Sequence, residues 1–486
     1  MIAALLLLPV LAAVITFLLR PDAPRRVLLV ATAFGHTAIT AGTWVVQPAS
    51  VLGGWLQLDG LGRLFLSITS ALFLAAAVYS AGYLQRERRG AREDFEEGLL
   101  FANAPEPTFT SCLLLFLAAM TLVTVSHRFG LLWVAVEATT LASAPLIYFH
   151  RQHRSLEATW KYLMICSVGI ALALLGNFFL AVAASDAGGA PVPLVLEQLI
   201  NAAPHLHIAW LKAAFLLFLV GYGTKMGLAP LHTWLPDAHS EAPSVVSALL
   251  SGALLNCAFL GILRVQQVCV AAGEGPFGQE LLVDFGLLSM ALAAVFIVGQ
   301  ADYKRMLAYS SVEHMGILTL GVGIGGTATF GAMLHAVNHS LTKAMLFLVA
   351  GNILAVYQSK STSEVRGVLR VLPVSGMLWV AGLFAITGSP PFAPFLSELT
   401  ILKAALDQGR NLVAIAYLVF LALIFVGMMS IVLRMAQGVT ERQPGTPEPA
   451  LAIIPPAALG VLVLLLGLYI PAALQRVIEE AARALG

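Results

Sequence analysis

Runs of about twenty apolar residues recur along the whole chain, each long enough to carry a helix across the roughly 30 Å hydrocarbon layer of a bilayer. They lie near residues 1–19, 27–46, 61–81, 109–126, 130–149, 158–185, 208–235, 245–263, 281–300, 306–322, 328–357, 372–406, 411–433 and 451–471. Only 11% of the 486 residues are charged and 59% are hydrophobic, whereas a soluble domain carries about a quarter charged residues. A water-soluble globule is excluded. The alternating pattern of outer-membrane strands is not seen. The expected fold is therefore an all-α polytopic membrane protein with about fourteen transmembrane helices.

The first run has no basic stretch before it and no small-residue cleavage site, so it reads as a retained helix rather than a signal peptide. Cys112, Cys166, Cys257 and Cys269 form no CxxC pair, which favours apolar packing over a metal or iron–sulfur cluster. With both termini on one side, the opposite loops hold seventeen basic residues and the loops on the terminal side six. By the positive-inside rule both termini face the periplasm of a bacterial cytoplasmic membrane. The inner loop "LQRERRGAREDFEEG", residues 84–98, is too polar to span; it reads as a solvated loop or as a docking segment for a neighbouring subunit.

Against this background the stretch "GTKMGLAPLHTWLPDAHSEAP", residues 223–243, stands out. An ionisable group at bilayer depth costs about 2.5–3.5 kcal/mol on insertion scales, so it is rare without a task. Lys212 beside Trp210, and Lys403 near Asp407 and Arg410, sit at the outer ends of their spans, where snorkelling accounts for them. Lys225 falls midway between Trp210 and Trp234, too deep for that. Gly227 and Pro230 follow it at once and should break the seventh helix. The twelfth span repeats the device in "TGSPPFAPFLSE", where Gly388, Pro390, Pro391 and Pro394 precede an acid, Glu398. Broken helices in corresponding places of two halves suggest an internal repeat around transport sites. Spans 4–8 and 9–13 would form two five-helix units, the second inverted. The chain then divides into 1–108, a first repeat 109–270, a second repeat 281–436, and a tail 437–486 holding span 14 and a short amphipathic interfacial helix.

Other buried polar groups follow the same axis. Glu137, in the fifth span, has no basic residue in that span and must be protonated or paired from elsewhere. "HAVNHSLTK" puts His335, His339 and Lys343 at intervals of four, on one helix face, where imidazoles near their neutral pKa could pass protons through water. A zinc site on the histidine pair is the rival reading, without an apparent third ligand. Glu313 and His314 could extend the axis from the tenth span, or be structural. His232 and His239 would lie at the inner mouth, with His232 the better candidate for the path.

"GTKMGLAPLHTWLPDAHSEAPSVVSALLSG", "ADYKRMLAYSSVEHMGIL", "HAVNHSLTKAMLFLVAGN" and "GSPPFAPFLSE" resemble the antiporter-like subunits of respiratory complex I, group 4 membrane-bound nickel–iron hydrogenases and Mrp-type antiporters, over roughly residues 60–435. "SALLSGALLNCA" looks most similar to the hydrogenase branch, in the F component of hydrogenase-4-like and formate hydrogenlyase-like complexes. The resemblance implies fourteen helices with two inverted repeats, a switching ion pair at Glu137 and Lys225, a hydrophilic axis through His335, His339 and Lys343, and a proton exit at Glu398. Many relatives carry an eighth-helix lysine where this chain has Asn256, which can hold a water chain but cannot carry the proton.

No flavin, haem, nickel, iron–sulfur or phosphate-loop signature occurs, so no cofactor is expected in this chain and redox chemistry would belong to peripheral partner subunits. Further antiporter-like membrane subunits, lipid, and protons or sodium ions complete the expected partners; nucleic acid is not among them. The expected function is proton translocation in a redox-driven complex. A sodium/proton antiporter module and a non-conducting membrane spacer are the alternatives.

Overall fold

With no water at bilayer depth, each backbone amide needs a partner inside the protein, and a helix supplies one locally. All fourteen apolar runs lie on helices. The computed structural model describes residues 1–87, 90, 92–185, 192–440 and 447–486; Arg88, Arg89 and Arg442 of the basic loops lie outside them.

The chain opens with α1 (Ile2–Leu18), α2 (Asp22–Gly42) and α3 (Gly60–Arg86). A two-stranded antiparallel ladder, β1 (Arg92–Glu93) with β2 (Leu100–Phe101), leads to α4 (Glu106–Val125), α5 (Phe129–Ile147) and α6 (His153–Ser185). The short α7 (Leu196–Ala202) precedes a broken span, α8 (Ile208–Met226) and α9 (Trp234–Glu241). Next comes a span made of α10 (Ser244–Leu249), a π-helical turn at Leu250–Leu254, and α11 (Leu255–Ala271). Then follow α12 (Gly275–Ile297), α13 (Tyr303–Ile324), α14 (Thr327–Tyr357), α15 (Val368–Val371), a second broken span of α16 (Pro373–Ile386) and α17 (Ala393–Asp407), and finally α18 (Asn411–Gln437), α19 (Ala450–Leu468) and α20 (Ala472–Arg483).

Ten continuous stretches among the described residues are long and apolar enough to cross a membrane. The other four runs differ for visible reasons. Helix α1 has 17 residues, α2 opens on Asp22, Arg25 and Arg26, α13 carries Lys304, Arg305 and Glu313, and the twelfth run is split in two. The apolar stretch of the span from Ser244 to Ala271 is buried throughout and forms the spine, while only 28% of the apolar stretch of α18, and of α19, is covered, which puts those two helices on the rim. Helices α6 and α8 touch backbone to backbone: a Cβ on Gly221 would lie 2.6 Å from the Gly169 carbonyl, so no larger residue fits.

Both broken spans stop in the same way. Gly227 (φ +84°) ends α8, and the next amide, of Leu228, donates to the Gly223 carbonyl at 2.8 Å. Gly388 (φ +63°) follows α16, and the amide of Ser389 donates to the Phe384 carbonyl at 2.9 Å. A left-handed glycine followed by an amide reaching five residues back is a helix stop that L side chains resist. At the first break the Trp234 indole N–H also caps the Thr224 carbonyl at 2.8 Å.

The spine is tied to the N-terminal helices by a fork of hydrogen bonds. Arg264, in the middle of α11, donates to both carboxylate oxygens of Asp59, at 2.5 and 2.8 Å, while Asp59 caps α3 through the Gly62 amide. Beside them α20 folds back on α3 and α14, burying Val477, Ile478 and Ala481 and leaving its charged face outward.

Candidate functional site

Lys225 lies in the last turn of α8, fully buried, where the carbonyl end of the helix favours a cation. Its Nζ donates to Thr140 Oγ1 at 2.7 Å and to Tyr162 OH at 2.6 Å, and sits 4.4 Å from the centre of the Tyr162 ring. Thr140 lies one turn beyond Glu137 on α5, and its hydroxyl donates to Glu137 Oε2 at 3.1 Å. Glu137 and Lys225 are therefore joined through one hydroxyl rather than in direct contact. Glu137 is half-buried and also accepts from Ser167 Oγ at 3.3 Å, so its carboxylate looks out between α5 and α6. Ser143 and Tyr162 hydroxyls, 2.7 Å apart, extend the chain of hydroxyls inward.

Asn256 joins the two halves. Its Nδ2 donates to the Gly252 carbonyl at 2.9 Å and to Ser340 Oγ on α14 at 2.8 Å, while Oδ1 is buried without a hydrogen-bond partner. The π-helical turn lies just before it, a widening of the helix common at functional sites.

In the second half His335, His339 and Lys343 all face α13, as a four-residue spacing requires. Lys343 Nζ donates to the Leu307 carbonyl at 2.6 Å. His335 and His339 gather around His314 of α13, with ring centres 5.0 and 5.1 Å from it. His314 Nδ1 and His335 Nε2 are 2.9 Å apart, and His335 Nδ1 is 2.9 Å from Ser397 Oγ. Glu398, next to Ser397 on α17, is buried with Oε1 unpartnered; both ring nitrogens of His339, His314 Nε2 and Glu313 Oε2 are likewise bare. A Cβ on Gly388 would run into the Glu398 carboxylate, so the glycine both ends α16 and makes room for the acid.

Beyond the first break His232 packs near Phe296 and Tyr309 with Nδ1 unpartnered, whereas His239, expected beside it at a mouth of the path, is wholly buried against Phe347. Lys304 donates to the Ser240 and Ala242 carbonyls at 2.9 and 2.6 Å, closing the carboxyl end of α9. A cavity of about 440 Å³ opens here, lined by Glu96, Arg154, Lys161, Asp237, Glu241 and Lys360. The buried Glu241 carboxylate pairs with the Lys360 ammonium 2.7 Å away. Residues 94–97 of the polar loop fold onto Arg154, with Asp94 Oδ2 3.2 Å from it. Lys212 pairs with Glu274 at 2.9 Å and Lys403 with Asp407 at 2.5 Å.

Thr140, Tyr162, Ser340 and Ser397 carry links that the sequence reading missed. The spacing of Thr140 three residues after Glu137 was a usable signal; the others depend on contacts between helices distant in the chain.

A membrane bundle with two broken helices and a buried charged axis defines an ion-translocating architecture. Residues 126–425 match the family described as "NADH:quinone oxidoreductase/Mrp antiporter, TM", and the chain belongs to it. It is similar to the hydrogenase-4 component F homolog of Methylacidiphilum infernorum, 35% identical over 386 residues that make up 79% of each chain. Hydrogenase-4 component B of Escherichia coli is 28% identical over 75% of this chain; the chain spans about half of that relative's length, 52%. Respiratory complex I of Thermus thermophilus contains a chain of the same fold, with a TM-score of 0.78 at 25% identity, covering 96% of this chain and 97% of that one. The protein is thus an antiporter-like, multi-pass membrane subunit.

Proposed function

We propose that this chain translocates protons as one membrane subunit of a redox-driven complex of the complex I or group 4 hydrogenase type. The observation that carries the reading is the buried Lys225 ammonium, bridged by the Thr140 hydroxyl to Glu137. When Glu137 draws close, the ammonium is favoured and the lysine loads a proton. When Glu137 moves off, the low-dielectric site disfavours the charge and the proton moves on. The partly open position of Glu137 between α5 and α6 gives an adjoining antiporter-like subunit a way to drive that movement.

Residues 109–270 and 281–436 act as two inverted repeats. His232 feeds the axis from the inner mouth, Asn256 and Ser340 join its halves through water, and His335, His339 and Lys343 pass the proton to Glu398 for release. Peripheral redox subunits supply the driving force, and both termini face outward. Charge bias in the loops supports that orientation.

The test is Lys225→Ala in the complex that co-purifies with the chain, reconstituted in liposomes. Assembly should persist and proton uptake should vanish. Normal pumping by the variant would remove the lysine from the path.

A further inference from the structure

We propose that His314, His335 and Glu398 form a binding site for a zinc-type divalent transition-metal ion. The three come from α13, α14 and α17, are all buried, and offer donor atoms within 4.8 Å of one another. The sequence showed only a histidine pair; the fold replaces His339 in that pair with His314 and adds the carboxylate.

Hydrogen bonding prepares the donors. The Ser397 hydroxyl donates to the Pro394 carbonyl at 2.8 Å, so toward His335 Nδ1, 2.9 Å away, it accepts. His335 therefore carries its proton on Nδ1 and turns the Nε2 lone pair toward His314 and the site. Glu398 Oε1 has no hydrogen-bond partner, and neither does His314 Nε2. A buried carboxylate oxygen left bare is costly and a cation satisfies it, while the bare His314 Nε2 is free to take the ring proton when Nδ1 binds the ion.

The donor set selects the ion. Two imidazole nitrogens and one carboxylate oxygen, with a fourth position free, match a tetrahedral zinc site. Magnesium, calcium and sodium favour oxygen-rich shells. Ligand distances of about 2.0–2.2 Å require donors about 3.3 Å apart. His314 Nδ1 and His335 Nε2, at 2.9 Å, need only part slightly, and Glu398 swings in. Glu313 Oε2, 3.9 Å from His314 Nε2, is placed to accept the His314 proton once Nδ1 binds metal, and it adds a second negative charge against the ion. Lys343, the basic residue on the same face of α14, is held by the Leu307 carbonyl. Occupancy would take up the lone pairs that hand protons to Glu398 and so close the axis. That consequence rests on the proton reading; the binding does not.

The experiment uses the purified complex containing this chain, stripped with a chelator and titrated with Zn²⁺ against a chromophoric competitor. Wild type should hold one more ion per copy than His314→Ala or Glu398→Gln, and Ser397→Ala should bind about tenfold more weakly, as loss of an outer-shell hydrogen bond does. Equal stoichiometry and affinity in wild type and all three variants would overturn the site. Should a variant fail to assemble, X-ray absorption at the zinc edge of the wild-type complex decides: two imidazoles and a carboxylate support the assignment, and a sulfur-containing or all-water shell overturns it. Zn²⁺ bound in this way should also stop pumping. Binding without inhibition would leave the site standing and remove His335 and Glu398 from the proton path.

Discussion

The two broken helices share one stop and differ in what surrounds it. In the first half the charged group, Lys225, precedes the glycine and is held by hydroxyls, with its acid partner half open to the flank of the bundle. In the second half the charged group, Glu398, follows the break, and five ring or carboxylate atoms of His314, His339, Glu313 and Glu398 lie buried without hydrogen bonds. The first leaves its acid accessible at the flank of the bundle. The second is sealed and has spare capacity for whatever enters it. The same glycine stop is thus set in two chemical surroundings, a hydroxyl-held lysine and a buried cluster of imidazoles and carboxylates, because the side chains around each break differ.

The largest effect is expected from Glu137→Gln. If the first half is the switch, proton flux should fall about a hundredfold, the scale of losing a positioned acid–base group, although the relay in the second half is untouched; flux near wild type would move the switch elsewhere. Next in size is Thr140→Val, which removes a hydrogen bond to a charged group worth about 1.5–3 kcal/mol and should lower flux about tenfold. Thr140→Ser should restore most of it. Similar flux in the valine and serine variants would show that Glu137 and Lys225 couple without the bridge.

Asn256 tests the join between the regions. Asn256→Leu should dry the contact with Ser340 and slow flux severalfold, whereas Asn256→Lys should keep or raise it. Equal flux in all three proteins would show that protons do not pass there. The smallest effects concern the stops themselves. Alanine at either left-handed glycine should cost about 1–3 kcal/mol in stability, read as a lower thermal midpoint. Only Gly388→Ala, whose Cβ would meet the Glu398 carboxylate, should also reduce flux, while Gly227→Ala, meeting Leu235, should leave it near normal.

Much of this was legible in one dimension. Length and hydropathy located the long helices, and glycine and proline marked both breaks, because hydrocarbon permits few alternatives. Lys225, Glu137 and Glu398 were conspicuous as charges in apolar runs. What stayed hidden was the partner of each charge. Tyr162 and Ser397 are ordinary residues in sequence and become links only when α6 and α17 pack, and the burial of His239 follows from α9 turning inward against Phe347. His314 was ambiguous for the same reason: its role depends on α14 and α17 rather than on its own helix.

On the proposed path, protons loaded in the first half leave through the sealed second half at Glu398. Proton pumping by the Glu398→Gln complex in liposomes, with redox turnover measured in parallel, tests it directly. Assembly and turnover should be intact with outward proton release by this subunit abolished, and Glu398→Asp should retain partial release. Unimpaired pumping by the glutamine variant would contradict it.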